Sequence, residues 1–184
     1  GMRGASVLWG RSYETGGAPP YWPWVQAIRS HVAETGENEL RSQLGSAAPV
    51  IAEIVPDIKQ KVHGVGEPIP IDDPESARFR LFDSISTFLK QASSSSPLVL
   101  MLEDLHWADR PSLSLLEFVA RELANSKLLI VGNYRDVDLN RRHPLFLTLG
   151  ELGRSRLFTR VVLRGLSRSD VERFMEAAAS AGVP

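Results

Sequence analysis

Two adjacent carboxylates, Glu103 and Asp104, close an apolar run, Pro97-Leu98-Val99-Leu100-Met101-Leu102, that carries no charge. A run of this length, rich in branched side chains, reads as a strand buried on both faces, as in a parallel sheet covered by helices. In an open α/β sheet the carboxyl ends of the strands face the ligand crevice. Two acids placed there cost desolvation energy unless a cation or hydrogen-bond donors meet them, so the chemistry they offer is the holding of a cation. A second run, Lys127 to Asn133, reads as a neighbouring buried strand and leads into Tyr134-Arg135-Asp136, which puts a guanidinium at a strand tip. The plainer readings stay open at this point. Glu103-Asp104 could cap the next helix, and Arg135 could pair with Asp136, Asp138 or Glu103.

Composition narrows the alternatives. The 184 residues suffice for one α/β domain or slightly more, with 43% hydrophobic and 23% charged residues, as in ordinary globular proteins. The net charge of −1 and the zero cysteine count leave no basic field for nucleic acid, no disulfide, no thiolate metal site and no cysteine nucleophile. No Gly-x-Ser-x-Gly elbow occurs. Glu103, Asp104 and His106 do not make a convergent metal triad, because neighbours on a strand point to opposite faces. No apolar stretch approaches the ~20 residues of a membrane span, and no signal peptide is visible. The expectation is a cytoplasmic protein that touches neither membrane nor nucleic acid through this segment. Gly1 ahead of Met2 has the look of a residue left by tag cleavage.

The continuation Leu105-His106-Trp107-Ala108-Asp109 narrows the match further. Glu103 to Asp109 resembles the Walker B segment of P-loop NTPases, and specifically the "DDLHWAD" form of the STAND signalling branch of the AAA+ ATPases, found in LuxR-type transcription regulators and in bacterial adenylate or guanylate cyclases. Gly10-Arg11-Ser12-Tyr13-Glu14, Ala18 to Trp24, Pro74 to Phe82 and Tyr134-Arg135 resemble further segments of that family. The resemblance implies ATP and Mg²⁺ as ligands in the parent protein. It implies that Glu103 and Asp104 help hold Mg²⁺, that Asp104 polarises the attacking water, and that Arg135 stands at the sensor 1 position against the γ-phosphate. Glu103 departs from the usual Asp and is one methylene longer.

The phosphate-binding Gly-x-x-x-x-Gly-Lys-Ser/Thr loop has no counterpart. The four lysines, Lys59, Lys61, Lys90 and Lys127, never follow a glycine. Gly64-x-Gly66 has no preceding strand and is followed by prolines. In the family the P-loop comes about one helix before the strand that Val7 to Trp9 matches. The chain therefore reads as a partial P-loop NTPase of the ASCE type: a parallel sheet flanked by helices, with the P-loop strand missing. Residues 1–165 read as the partial AAA+ core with a helical insertion at about 23–72, and 166–184 as the start of the helical lid domain.

The elements follow from periodicity and punctuation. A short strand at 5–9 is closed by Gly10, and Gly16 to Pro20 form a loop. Tyr21, Trp22 and Trp24 act as packing anchors. Val25, Ile28 and Val32 mark a helix that keeps His31 in the core or at its rim. Short helices cover 39–44 and 50–55. Asp73 caps a long helix with the stripe Ala77, Leu81, Ile85, Phe88 and Leu89, which ends in a flexible break at Ser93 to Ser96. A further helix spans 110–125, another carries Leu145, Leu149 and Leu152, and Val161 to Leu163 read as a last strand. Ser167 caps a final helix that Gly182 stops.

Without its P-loop strand the sheet has open edges. The expected core is three parallel strands around Val7, Leu100 and Ile130, with Val161 to Leu163 displaced or re-paired. The partners implied are the absent P-loop segment, lid and effector domains of a parent protein, and a second copy through strand edges. Alone, the chain is expected neither to bind nor to hydrolyse ATP. The alternative reading is a non-catalytic protein-interaction module that retains a degenerate NTPase fold.

Overall fold

The computed structural model describes residues 4–14, 17–136 and 139–180. Three strands, β1 (Ser6–Arg11), β2 (Leu98–Glu103) and β3 (Leu128–Gly132), form one parallel sheet in the order β1-β2-β3. The register aligns Leu8 with Leu100 and Ile130, and Val7 with Val99 and Leu129. Helices α1 (Trp22–Glu34), α2 (Glu37–Leu44), α3 (Ala48–Ile51), α4 (Asp57–Lys61) and α5 (Pro74–Ser95) lie between β1 and β2. Helix α6 (Arg110–Arg121) joins β2 to β3, and α7 (Pro144–Leu152) and α8 (Arg168–Ser180) follow. This is the three-stranded parallel α/β core the sequence leads one to expect.

The strand order fixes where the helices go. The chain steps in one direction across the sheet, and parallel crossovers are right-handed, so every connecting helix falls on the same face. That face carries Leu8, Leu98, Leu100, Leu102 and Leu128, all buried. Helix α1 packs against β1, α5 against β3 and α6, and α6 against α7. The approach of α1 to β1 is so close that a Cβ on Gly10 would lie 1.9 Å from the Pro23 carbonyl oxygen, which explains the glycine. The other face is open: Val7, Trp9 and Leu129 are exposed by 39%, 53% and 56%, with Val99, Met101 and Val131 only half-buried. The expectation of strands buried on both faces is therefore met on one face alone, because no described helix covers the second.

Local chemistry sets the helix boundaries. Asp73 caps α5 by accepting from the Ser76 backbone N–H at 2.8 Å and its hydroxyl at 2.6 Å. Asp109 caps α6 in the same way through Ser112, at 2.9 and 2.6 Å. A proline sits in the first turn of each, where its missing N–H is harmless. Helices α1 to α4 bury Ile28, Leu40, Ile51 and Ile58, and the link between α3 and α4 buries Val55, in the same core as Phe88. Trp24 is fully buried, with Tyr21 and Trp22 half-buried against the core. His31 is buried, 2.6 Å from the Gln43 side-chain oxygen and edge-on to Phe88.

Several boundaries differ from expectation. Strand β1 runs past Gly10 to Arg11, because glycine is what permits the close approach of α1. Helix α5 continues through Ser95, since the Ser93 and Ser94 hydroxyls donate to carbonyls three residues back and leave the serine tract helical. Helix α6 ends at Arg121, four residues short of Asn125, which adopts a positive φ of 64°. Val161 to Leu163 form no strand and are exposed, since a β-prone segment needs a neighbour to pair with. Gly16, Asp138 and Gly182 lie outside the described residues. Helix α8 buries no residue and presents Val171, Phe174 and Met175 to solvent. No helix among the described residues is long and apolar enough to cross a membrane.

Candidate functional site

The sheet's carboxyl end gathers the residues singled out by the sequence. Strand β2 ends at Glu103, and Asp104 turns away with φ 56° and ψ 43°. This is a left-handed conformation that Asp tolerates better than most residues but that still stores strain. It is held from three sides. The Arg11 Nε donates to the Asp104 carboxylate at 2.9 Å. The Asp104 backbone N–H donates to the Asn133 side-chain oxygen at 2.9 Å. The Leu105 N–H donates to the Asn133 carbonyl and the Asn133 N–H to the Leu102 carbonyl, at 2.9 and 3.0 Å. Gln26 on α1 donates to the Arg11 carbonyl at 2.9 Å, and the Ser12 N–H donates to the Glu103 carbonyl at 3.0 Å. The tips of all three strands are thereby tied together.

Glu103 and Asp104 are both half-buried but differ in state. Asp104 is ion-paired, whereas the Glu103 carboxylate makes no hydrogen bond or ion pair among the described residues. Glu103 falls in the same alternation as Val99 and Met101, so it belongs to the open face of the sheet.

Arg135 reaches neither acid and does not pair with Asp136. Its guanidinium lies over the Trp107 ring, 5.8 Å from the centroid, and its backbone N–H donates to the His106 Nδ1 at 3.4 Å. Asp136 is instead bound by Arg160 at 2.6 Å, and the Arg160 guanidinium lies over the Tyr134 ring. His106 is buried and packs against Trp107 with ring centroids 4.5 Å apart. Asp109, at the end of the same motif, holds the fold together locally. Besides capping α6 it receives the Tyr21 N–H at 3.5 Å, and the Trp24 indole donates to the Ser112 carbonyl at 3.1 Å. Burial pushes the Tyr21 phenol above its ordinary range, with Arg78 pulling the other way and Asp109 adding to the rise. Arg78 is exposed and lines a cleft between α5 and α6 floored by Phe79, Phe82 and Phe118, which none of Glu103, Asp104 and Arg135 borders.

The structure thus brings Glu103, Asp104 and Arg135 to one end of the sheet, through neighbouring strand tips, without mutual contact. Among the described residues no three His, Cys, Asp or Glu side chains gather in a way that could hold a metal ion. By donor chemistry alone, two carboxylates are the kind of set that a Mg²⁺ arriving with phosphate oxygens and water takes, with the Asp104 carboxylate held by Arg11 in this structure. Two further residues matter that the motifs alone did not single out. Arg11 was visible only as part of a strand-end motif, and its partner lies 93 residues away. Asn133 ends a hydrophobic run, and a polar residue there was the available signal.

A parallel sheet with helical crossovers, an acidic strand end and a basic neighbouring tip define an α/β domain of the P-loop NTPase type. A family model described as AAA ATPase domain matches residues 2–131, and the chain belongs to that family. No curated protein and no solved structure matches. Family membership makes this a nucleotide-dependent ATPase-like module, of a class that uses ATP and Mg²⁺.

Proposed function

We propose that the chain is the catalytic-acid part of a STAND-type signalling ATPase, in a transcription regulator or nucleotide cyclase. Its phosphate-binding strand, loop and helix are supplied from ahead of Val7. The observation that carries this reading is the pairing of an open β3 edge with an open sheet face. A strand beside β3 and a helix across Val7, Val99 and Leu129 would fill both, and that is the shape of a P-loop unit. Glu103 projects on that same face, where such a helix would present its N–H groups and positive end to phosphate. In that assembly Glu103 and Asp104 hold Mg²⁺, Asp104 orients water and Arg135 meets the γ-phosphate. Residues 1–165 are the core and 166–184 begin the lid, which accounts for the bare apolar stripe of α8.

Without the phosphate-loop lysine and its glycine-rich cradle, the chain by itself binds MgATP more weakly than millimolar and does not turn it over. A calorimetric titration checks this; affinity tighter than millimolar refutes it. Where in-frame codons before Met2 encode the loop, Glu103→Gln or Asp104→Asn in the longer protein lowers hydrolysis while largely sparing ATP binding. The second reading, an interaction module without chemistry, draws on the Arg11–Asp104 pair, which occupies the acid needed for water. A stop codon ahead of Met2 would favour it.

A further inference from the structure

We propose that Trp107 and His106 are positioning residues for Arg135, holding it at the sheet's carboxyl end by a ring face against the guanidinium and a ring-nitrogen acceptor for its backbone N–H. The inference rests on the ATPase reading of Arg135 given above. Three contacts link the two rings to Arg135 and to each other. The Trp107 ring lies under the Arg135 guanidinium at 5.8 Å, the His106 Nδ1 accepts the Arg135 N–H at 3.4 Å, and the two rings pack against each other. Both rings sit on a short 3₁₀ turn, Leu105–Trp107, that directly follows Asp104. That turn is anchored on β3 from the other side, because Leu105 donates to the Asn133 carbonyl and its side chain fills the space where a Cβ on Gly132 would lie 2.5 Å away.

A displacement of the acidic strand end therefore carries the two rings, and with them the arginine. Arg135 is exposed and makes no salt bridge among the described residues. A flexible cation in that setting samples many rotamers, and an aromatic face narrows them at modest energy. The turn makes the water-orienting acid and the phosphate-sensing cation one mechanical unit.

The test uses two variants, Trp107→Leu and Trp107→Phe. In the chain as it stands, NMR should find the Arg135 side-chain protons shifted upfield by the indole, at ordinary positions in W107L and part-way back in W107F, with other resonances still dispersed. Ordinary positions already in the unsubstituted chain overturn the proposal. In the protein that carries the phosphate loop, W107L should lower kcat about threefold with KM within about twofold, W107F should recover part of it, and Arg135→Ala should leave nothing further for W107L to remove. A normal kcat in W107L alongside a lowered kcat in Arg135→Ala overturns the positioning role alone. A normal kcat in Arg135→Ala overturns the catalytic reading of Arg135, and the proposal with it, whatever the NMR of the ring contact shows.

Discussion

At the scale of single residues, distance in sequence and exposure decide what each ion pair is worth. Arg11 is 56% exposed and its partner Asp104 17%, and pairs so placed contribute little to stability. Arg11→Ala should shift unfolding by no more than about 0.5 kcal/mol in a urea titration. Asp109→Ala removes a cap that satisfies two donors of Ser112 and should cost about 1 kcal/mol in the same measurement. Glu37 gives a pH test. The His63 backbone N–H, the His63 ring and Arg41 all bond its carboxylate and lower its pKa from the usual 4.5 to about 2. The folded value is depressed, so the stability it brings is complete above the ordinary carboxylate range and fades as pH falls toward 2. NMR titration of the Glu37 carboxyl should find its midpoint near 2, and His63→Ala should raise it.

At the scale of elements, the sequence was most legible where cause is local. The caps at Asp73 and Asp109, the apolar run of β2 and the buried anchor Trp24 all depend on near neighbours or on burial alone. It was least legible where an element needs a remote partner. Val161 to Leu163 have strand-forming side chains yet remain unpaired. Arg11 and Asp104 meet only because β1 and β2 are adjacent, with four helices and α5 between them in sequence. Gly10 is the sharpest test of element packing. Gly10→Ala would drive a methyl into the Pro23 carbonyl and should cost about 3 kcal/mol or prevent folding, read from the thermal midpoint. The β3 edge carries Leu128 to Gly132 without a charge or proline to blunt it, the kind of edge that templates association. We expect concentration-dependent self-association in sedimentation, reduced by Leu129→Lys.

At the scale of the molecule, the step-by-step strand order had a consequence that residue patterns could not display. Both alternations of β2 are apolar, so periodicity alone gave two equivalent faces. Handedness of the crossovers broke that equivalence and left one of them bare. That Glu103, Asp104 and Arg135 fall at strand tips was legible because strand ends and charge are local features. Their relation to Arg11, Asn133 and Trp107 was not, since it arises only when three distant tips are drawn together.

The bare side of the sheet also furnishes its own optical gauge. Trp9 stands there half in water while Trp24, on α1, is sealed in the core and Trp22 and Trp107 are half-buried, so the indoles emit from different polarities. Docking of any strand-and-helix piece onto that side would dry Trp9 and move its emission toward the blue, leaving Trp24 as the internal standard. Assembly could be followed by light alone, with no label and no nucleotide.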